Sequence, residues 1–484
     1  MNEPSSEEVR VVEHLVVGDG ITALAFVENC ALKPGDALVV LGGQASELGR
    51  GVAYGKGDPG TAWRYAYLLN SPADDIDPAF ARWLSDRWST VEETMTGRAP
   101  NWMNAAKPLV AAGDIFGVNA PREFYGDFMR EQAEATVDGL RRRGVQVAFV
   151  DDRATGLDVT ADGVRVSTQI GQKIHARSVD VAPGGPSTLR IDGDDGRFSA
   201  PTVFGQEERI AEQIKAGAEI FCIGGNAAML DVLRLCQSLI PDAQLRFVAC
   251  APDGEIPEPL IPRLPRKLTA PRFSAGHETA ESFLAEVWRE IELAKRAGDE
   301  MREIRAGFRA HFLAHPLTQY VADEQQARRI PAKLRFWLRG GTRDTILDMR
   351  RLVAADQVRV MPGLVTAIEH LSDGARVRIA DAVGGETVHE TGFVVNCAGA
   401  GPGSRYDPLT ENMLSQGLIQ ICDISRGLKV GDNCRAGTPA IRYLSPATIV
   451  IGSEVMAMPL YDAHVLRTYA SRASLPSVTK RVQP

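Results

Sequence analysis

A short apolar segment that ends in a glycine-rich turn constrains the fold of this chain more than any other feature. The segment His14–Val17 runs into Gly18-Asp19-Gly20-Ile21-Thr22-Ala23, and apolar residues at helical spacing follow. In the pattern Gly-x-Gly-x-x-Ala, the first glycine permits a tight turn and the second lets a phosphate approach the backbone. Ala23 is small enough for the helix to pack on the strand, and the free N–H groups of the helix face the phosphate charge. The pattern predicts a strand, a turn and a helix that bind a dinucleotide pyrophosphate at Gly18, Gly20 and Ala23.

A second unit of this kind begins about 200 residues later. The apolar segment Ile220–Ile223 leads into Gly224-Gly225-Asn226, and leucines at helical spacing follow as far as Leu239. Two such units in a chain of 484 residues indicate two dinucleotide-binding domains rather than one. We therefore predict an α/β fold with two Rossmann-like domains and a helical insertion.

The order of the remaining segments predicts the domain boundaries. Strand-like segments between about residues 145 and 182 predict a small antiparallel sheet, and charged residues at helical spacing after Glu278 predict a helical insertion. A last strand, a glycine and a helix near residues 448–470 are expected to complete the first domain. The predicted units are a first domain of residues 1–215 and 360–484, a second domain of residues 216–255 and 335–359, and an insertion of residues 256–334.

Composition limits the partners of the chain. The net charge of −8 argues against nucleic acid or an anionic membrane, and no apolar run approaches the roughly 20 residues that span a bilayer. The acidic, polar first residues differ from a signal peptide. The seven cysteines form no Cys-x-x-Cys pair, and His311 and His315 have no evident third ligand, so we expect reduced thiols and no metal site. We expect a cytoplasmic protein that acts on a small molecule, and homo-oligomerisation stays open.

Four further motifs follow the first turn in a fixed order. They are Gly49-Arg50-Gly51-Val52-Ala53-Tyr54, Leu69-Asn70-Ser71-Pro72-Ala73, Pro121-Arg122-Glu123-Phe124-Tyr125-Gly126 and Val395-Asn396-Cys397-Ala398-Gly399. With them the chain resembles the bacterial FAD/NAD(P)-binding flavoproteins of the YdhS/HcaD-like type, which are related to the flavin monooxygenases that N-hydroxylate lysine and ornithine. The resemblance extends over most of residues 12–475. It implies the fold and FAD, with NADH or NADPH as a second cofactor, and it says little about the substrate.

The resemblance also implies roles for single residues. Gly18, Gly20 and Ala23 would hold the FAD pyrophosphate, and Gly452 and Glu454 would close the site from the C-terminal strand. Asn70 and Pro72 would lie along the flavin or its ribityl chain, and Arg122 would stand near the cofactor. The remaining cofactor-binding positions lie at strand ends and in the second turn, and they are Gln44, Gly184, Gly224, Gly225, Asn226 and Gly399.

Three positions depart from the usual pattern. The second strand ends Leu41-Gly42-Gly43-Gln44, without the carboxylate that usually binds the adenosine ribose, so Gln44 or Glu47 substitutes for it or the affinity for FAD is reduced. Asn226 tolerates a positive φ, but its side chain crowds a pyrophosphate. The strand after Asn226 ends without an arginine for a 2′-phosphate, so NADH, NADPH and no nicotinamide at all stay open.

The function hypotheses follow from these motifs. The chain shows no Ser-His-Asp, Cys-His or paired-carboxylate pattern, which favours chemistry carried by a cofactor. The first hypothesis is an FAD-dependent oxidoreductase, a NAD(P)H-using monooxygenase that N-hydroxylates a small amine-bearing metabolite, with Arg339, Arg343 and Asp344 as candidate catalytic contacts. The second hypothesis is a flavin oxidase or dehydrogenase of amines or amino acids that uses no nicotinamide. The third is a non-catalytic binding or partner protein whose cofactor sites have decayed.

Overall fold

The fold consists of two mainly parallel sheets flanked by helices, with two smaller sheets beside them. The computed structural model describes residues 11–55, 57–58, 60–256, 268–331, 333–334, 341–422, 426–457 and 463–472. None of the helices within these ranges is both long and apolar enough to cross a lipid bilayer.

The first sheet has eight strands. They are β1 (Val12–Val17), β2 (Ala37–Gly42), β3 (Gln146–Asp151), β4 (Ala154–Thr160), β5 (Gly163–Thr168), β6 (Lys173–Val181), β17 (Arg435–Ala436) and β18 (Thr438–Tyr443). The order is β17-β18-β6-β1-β2-β3, and β4 and β5 extend from β6 as an antiparallel hairpin. The strands from β18 to β3 are parallel. The central strands β1 and β2 are almost entirely buried, whereas the edge strand β3 is partly exposed.

The second sheet has five parallel strands in the order β10-β9-β8-β14-β7. They are β7 (Ser199–Ala200), β8 (Ile220–Ile223), β9 (Phe247–Ala251), β10 (Val358–Pro362) and β14 (Phe393–Asn396). An antiparallel sheet between β10 and β14 contains β11 (Leu364–His370), β12 (Ala375–Ala380) and β13 (Glu386–Thr391). The fourth sheet contains β15 (Gln420–Ile421), β16 (Leu428–Val430), β19 (Thr448–Ile451) and β20 (Glu454–Val455).

Most helices are grouped in two series, one between β2 and β3 and one between β9 and β10. The helices are α1 (Ile21–Glu28), α2 (Ala73–Ile76), α3 (Pro78–Asp86), α4 (Trp88–Met95), α5 (Pro100–Ala111), α6 (Arg122–Arg142), α7 (Glu207–Lys215), α8 (Ala227–Leu239), α9 (Ala280–Arg296), α10 (Met301–Ala314), α11 (Glu324–Ala327), α12 (Arg343–Ala354), α13 (Pro408–Ser415) and α14 (Ala463–Arg472). Short 3-10 turns occur at Ala45–Glu47, Ile115–Gly117, Asp242–Gln244, Leu317–Gln319 and Asp432–Cys434.

The helices of the insertion share a core with the fourth sheet. Phe283 of α9 and Phe308 of α10 are buried with Ile449 and Val450 of β19. The Thr279 hydroxyl caps α9 by accepting the N–H of Ser282, which satisfies one of the free donors at the helix start. The insertion therefore packs on C-terminal strands that lie outside both parallel sheets.

Three parts of the predicted domain division need correction. The sequence places all residues up to 215 in the first domain, whereas β7 (Ser199–Ala200) pairs with β14 in the second sheet. The sequence places residues 360–396 in the first domain, whereas β14 pairs with β8 in the second sheet. The sequence also expects the strand at residues 448–451 to complete the first domain, whereas β18 does so by pairing with β6, and β19 joins the fourth sheet. The strands β14 and β19 are both short, apolar and buried, so their composition does not reveal which sheet each of them joins.

Three buried polar side chains connect β18, β6 and β1 in the middle of the first sheet. Asp180 accepts hydrogen bonds from Nε of Arg442 at 2.6 Å and from Nε2 of His14 at 2.9 Å. The Arg442 guanidinium also lies 4.7 Å from the ring centroid of Phe26 on α1. Burial opposes the charge on Asp180, but His14 and Arg442 outweigh it and keep the pKa of this carboxyl below its usual range. The network therefore fastens the C-terminal strand to the N-terminal half of the domain.

Replacing Arg442 should destabilise the first domain strongly. In Arg442→Met, Asp180 keeps His14 but loses its buried guanidinium partner, and we expect a loss of about 3–5 kcal/mol in the free energy of unfolding by urea. Arg177→Met is the matched control, because Arg177 of β6 and Glu13 of β1 form an exposed pair at 3.0 Å in the same sheet. That control should change stability by about 1 kcal/mol or less. Equal losses in the two variants would contradict a special role of the buried network.

Candidate cofactor site

The turn after β1 is built around Gly18. Its φ is +121°, and a Cβ there would lie 2.3 Å from the carbonyl oxygen of Ala182, which follows β6. Its N–H donates to Leu41 at the end of β2 at 2.8 Å. Only glycine fits this backbone and this close approach, so Gly18 fixes the turn at the carboxyl edge of the sheet. Ala23 is fully buried where α1 packs on the strands.

Gly20 is the N-cap residue of α1. Its φ of −87° and ψ of −172° are extended, and the first turn of α1 has no acidic residue. Among the described residues, no side chain accepts a hydrogen bond from the first N–H groups of this helix. These groups and the helix dipole suit the negative charge of a pyrophosphate. The residues of this turn therefore fit the FAD diphosphate that the sequence predicts.

The segment Gly49–Tyr54 lies over this turn. A Cβ on Gly51 would lie 3.0 Å from the Cα of Gly20, so the two backbones are in direct contact. The other side of the segment packs on α6, where a Cβ on Gly126 would lie 2.4 Å from the carbonyl oxygen of Tyr54. Arg50 is buried beneath it and pairs with Asp127. Two motifs that are 70 residues apart in sequence therefore meet beside Gly20.

The segment that contains Asn70 and Pro72 is fixed by hydrogen bonds to Asn119 and Ala120. The N–H of Leu69 donates to Ala120 at 2.9 Å, and the Asn119 side chain donates to the carbonyl oxygens of Leu69 and Asn70 at 3.1 and 3.3 Å. Pro72 is buried at the start of α2. This network fixes the backbone on which a flavin contact at Asn70 would depend.

The turn after β8 repeats the construction of the first turn. Gly224 has a φ of +98°, and a Cβ there would lie 2.9 Å from the carbonyl oxygen of Cys397. Asn226 is the N-cap of α8 with a φ of −101° and a ψ of −173°, which matches Gly20. The left-handed residue of this turn is therefore Gly224, and the tolerance of Asn226 for a positive φ is not used. The neighbouring Gly225 and Gly399 lie at the same edge of the second sheet.

Arg122 lies between the two domains. Its Nε donates to the carbonyl oxygen of Leu68 at 3.0 Å, and its Nη1 lies 3.0 Å from Oδ2 of Asp231 on α8. Thr342 makes a second connection, because its hydroxyl donates to the carbonyl oxygen of Leu69 at 3.0 Å. Both contacts end within two residues of Asn70, so the second domain is attached beside the predicted flavin segment.

The other predicted positions are more scattered. Gly184 follows β6 at the edge of the sheet where Gly18 lies. The backbone N–H of Gln44 donates a hydrogen bond to Oδ2 of Asp19 in the first turn. Arg343 and Asp344 open α12, half-buried, next to Thr342. Gly452 and Glu454 belong to the fourth sheet and not to the strand that completes the first one. Arg339 lies outside the described residues.

Sequence reasoning missed four residues that the structure brings to this region. They are Asp19, Arg50, Asp231 and Thr342. A carboxylate five residues after a dinucleotide turn, in an otherwise apolar helix, could have drawn attention to Asp231. No comparable pattern marks Thr342, because its partner is a backbone carbonyl 273 residues away.

The histidine pair of the insertion has a structural role. The rings of His311 and His315 stack at 4.4 Å, and Nε2 of His311 is 2.7 Å from the hydroxyl of Tyr320. Burial, and then His315, lower the pKa of His311. Over the described ranges, no three His, Cys, Asp or Glu side chains are grouped to hold a metal ion.

Comparison with known proteins supports the cofactor assignment. Residues 15–186 match a family model described as FAD-NAD(P)-binding. No curated protein matches the chain. The match confirms the predicted FAD/NAD(P)-binding character of the first domain.

Several solved structures with a similar fold are monooxygenases or hydroxylases of amines. The ornithine N-hydroxylase of Kutzneria sp. 744 has a TM-score of 0.54 at 14% identity, covering 96% of this chain and 99% of its own. The lysine monooxygenase of Nocardia farcinica has a TM-score of 0.53 at 13% identity, and the match covers 95% of this chain and 100% of that enzyme. The cadaverine monooxygenase of Erwinia amylovora has a TM-score of 0.52 at 13% identity, and the match covers 98% of this chain and 97% of that enzyme. At these identities the likeness shows the fold, and it confirms the predicted class of two-domain flavoproteins.

Adding one methyl group at Gly20 should separate FAD binding from folding. Its φ suits alanine, and the new Cβ would lie 3.7 Å from the Cα of Gly51, an ordinary contact. We expect Gly20→Ala to fold normally but to bind FAD about 10- to 100-fold more weakly, because the methyl group enters the phosphate position. Fluorescence titration of the apoprotein with FAD measures this. Gly139→Ala, which adds a methyl group in open space on α6, should bind like the wild type. Unchanged affinity in Gly20→Ala would contradict the phosphate site.

The contact between Arg122 and Asp231 should have a characteristic pH dependence. Burial raises the pKa of Asp231 to about 6, although Arg122 opposes this shift. Because the folded state binds the proton before the unfolded state, the wild type should gain up to about 3 kcal/mol relative to Asp231→Asn as the pH falls from about 6 to about 4.

Urea unfolding of both proteins across this range measures the difference. Glu219→Gln is the control of opposite sign. Burial opposes the charge of Glu219, but His389 and Arg359 outweigh it and lower its pKa, so the wild type should lose stability relative to that variant on acidification. A wild-type advantage over Asp231→Asn that grows with rising pH would show that Arg122, and not burial, dominates at Asp231.

Proposed function

We propose that this chain is an FAD-dependent oxidoreductase that uses NADH or NADPH and acts as a monooxygenase on the nitrogen of a small amine. The observation that carries the proposal is the presence of two dinucleotide turns of the same construction on two domains that are joined beside Asn70. The family match supports FAD at the first turn. The ornithine N-hydroxylase of Kutzneria sp. 744, which has a similar fold, was solved with reduced FAD, NADP+ and L-ornithine, which supports the full set of ligands.

Each part of the site would have a distinct task. Gly18, Gly20 and the start of α1 would bind the diphosphate of FAD, and Asn70 would lie along the flavin or its ribityl chain. Bound FAD would supply the redox chemistry: it accepts a hydride from the nicotinamide and activates oxygen. The protein would orient the two cofactors and exclude water from the reacting atoms.

The second turn would receive the nicotinamide cofactor. Gly224 and the N-terminus of α8 offer the same backbone arrangement that Gly18 and α1 offer to FAD. Residues 250–253 after β9 contain no arginine for a 2′-phosphate, so the proposal includes both NADH and NADPH. Arg343 and Asp344, which lie next to Thr342 at the junction of the domains, are proposed contacts for the nicotinamide or the substrate.

A second candidate function is supported by Asn226. The residue stands where the first turn has Gly20, and its side chain occupies space next to the phosphate position. A flavin oxidase or dehydrogenase of amines would need no nicotinamide at this turn. The two candidates differ in one measurable property, which is the reduction of the flavin by NAD(P)H.

Anaerobic mixing distinguishes the two functions. The first function predicts that NADH or NADPH bleaches the flavin absorbance of the purified protein, and that readmitted oxygen restores it. Amines such as lysine, ornithine and cadaverine should then increase NAD(P)H consumption, with hydroxylamine product detected by mass spectrometry. Bleaching by an amine in the absence of NAD(P)H would favour the second function. A protein that takes up no FAD would contradict both.

A further inference from the structure

The end of β2 has no carboxylate that could bind the adenosine ribose of FAD. The strand ends Gly42-Gly43-Gln44, whereas dinucleotide-binding folds usually carry an Asp or Glu at this place. A ribose hydroxyl donates a hydrogen bond most favourably to an ionised carboxylate. The cofactor proposed above therefore calls for an acceptor at this edge of the first sheet.

The carboxylate of Asp19 lies at this strand end. Asp19 is the middle residue of the turn Gly18-Asp19-Gly20, and its Oδ2 accepts the backbone N–H of Gln44 at 2.8 Å. The N–H of Gly49 donates to its carbonyl oxygen at 2.8 Å, which fixes the backbone from which the side chain extends. Its other oxygen, Oδ1, accepts no hydrogen bond from any residue that the structure describes.

The glycine at position 42 is explained by Asp19. A Cβ on Gly42 would lie 2.9 Å from the Cβ of Asp19 and 3.0 Å from its Oδ2. Gly42 has no left-handed φ, so its backbone does not itself require glycine. The space that a side chain at the end of β2 would fill is occupied by the side chain of Asp19.

We propose that Asp19 binds the hydroxyl groups of the adenosine ribose of FAD and takes the place of the carboxylate at the end of β2. The carboxylate has moved from the second strand to the first turn, and glycine at position 42 makes room for it. A Cβ on Gly43 would lie 3.5 Å from Nε of Arg153 and 3.9 Å from Oδ2 of Asp19, so glycine at this position also leaves space next to the carboxylate. The inference rests on the FAD binding of the proposed function but not on the reaction.

A ligand that lacks the contact tests this inference directly. The apoprotein is titrated with FAD and with an FAD analogue whose adenosine ribose is 2′,3′-dideoxy, and flavin fluorescence is followed. Asp19→Ala should bind FAD about 10- to 100-fold more weakly than the wild type does, which is the range for a hydrogen bond to a charged group. The same variant should bind the dideoxy analogue within about threefold of the wild type, because the contact is already absent.

Two further variants separate binding from folding. Asp36→Ala is the matched control, because Asp36 also accepts a backbone N–H, from Lys33 at 2.7 Å, but lies at the amino end of β2. It should bind both ligands like the wild type. The exchange variant Asp19→Gly/Gly42→Asp returns the carboxylate to the strand end, and it should regain most of the affinity for FAD over the dideoxy analogue.

The outcomes are distinct from those of the proposed function. Equal weakening of FAD and of the analogue in Asp19→Ala would show that Asp19 only fastens Gln44, and would overturn the inference. Unchanged FAD affinity in Asp19→Ala would overturn it as well. A wild type that binds neither ligand would overturn the inference together with the proposed function. A wild type that binds FAD through Asp19 but is not reduced by NAD(P)H would leave the inference standing and remove the monooxygenase.

Discussion

The close contact between a turn glycine and the end of a neighbouring strand is the constraint on which both candidate sites depend. In the first domain, Gly18 donates to the end of β2 and lies against the carbonyl of Ala182, whose own N–H donates to the end of β1. In the second domain, Gly224 donates to the end of β9 and lies against the carbonyl of Cys397, whose N–H donates to the end of β8. The backbone arrangement is the same at the two places although the sequences differ. A side chain at either glycine would push the strands apart, so the position of each helix N-terminus follows from this contact.

The buried charges in the first sheet have a different task from the glycines. The pair of Asp180 and Arg442 lies where an apolar pair of similar size would often be equally stable, so its presence adds little to stability by itself. It does define which strand can lie beside β6, because a strand without an arginine at the position of Arg442 would leave the buried carboxylate of Asp180 with His14 but without its guanidinium partner. The nearby β19 offers Ile449 and Val450 instead and joins another sheet. The charge pair therefore accounts for the choice of β18 over β19 in physical terms.

Local patterns predict this molecule well where the cause is local. Gly18 and Gly20 are recognisable because a turn between a strand and a helix needs particular backbone angles, and the turn at Gly224 is recognisable for the same reason. Asp19, Asp231 and Thr342 escape such reading because their partners are set by tertiary packing, at distances of 25 to 273 residues along the chain. The misplaced boundary at residue 360 has a related cause. Apolar strands that are buried on both faces look alike in sequence, so their order in the sheets is not written in their composition.

The position of Arg122 gives this residue a structural role that the resemblance does not imply. The resemblance implies an arginine near the cofactor. In the structure, Nε of Arg122 donates a hydrogen bond to the carbonyl oxygen of Leu68, which is two residues before Asn70 in the sequence. The guanidinium nevertheless faces Asp231 of the second domain. Because its charge is already neutralised by this buried partner, Arg122 would attract a phosphate only weakly. Its influence on a flavin would therefore pass through geometry. By holding α8 against the segment before Asn70, Arg122 helps to set how far the second dinucleotide turn lies from the first, and the hydride transfer proposed above would depend on that separation.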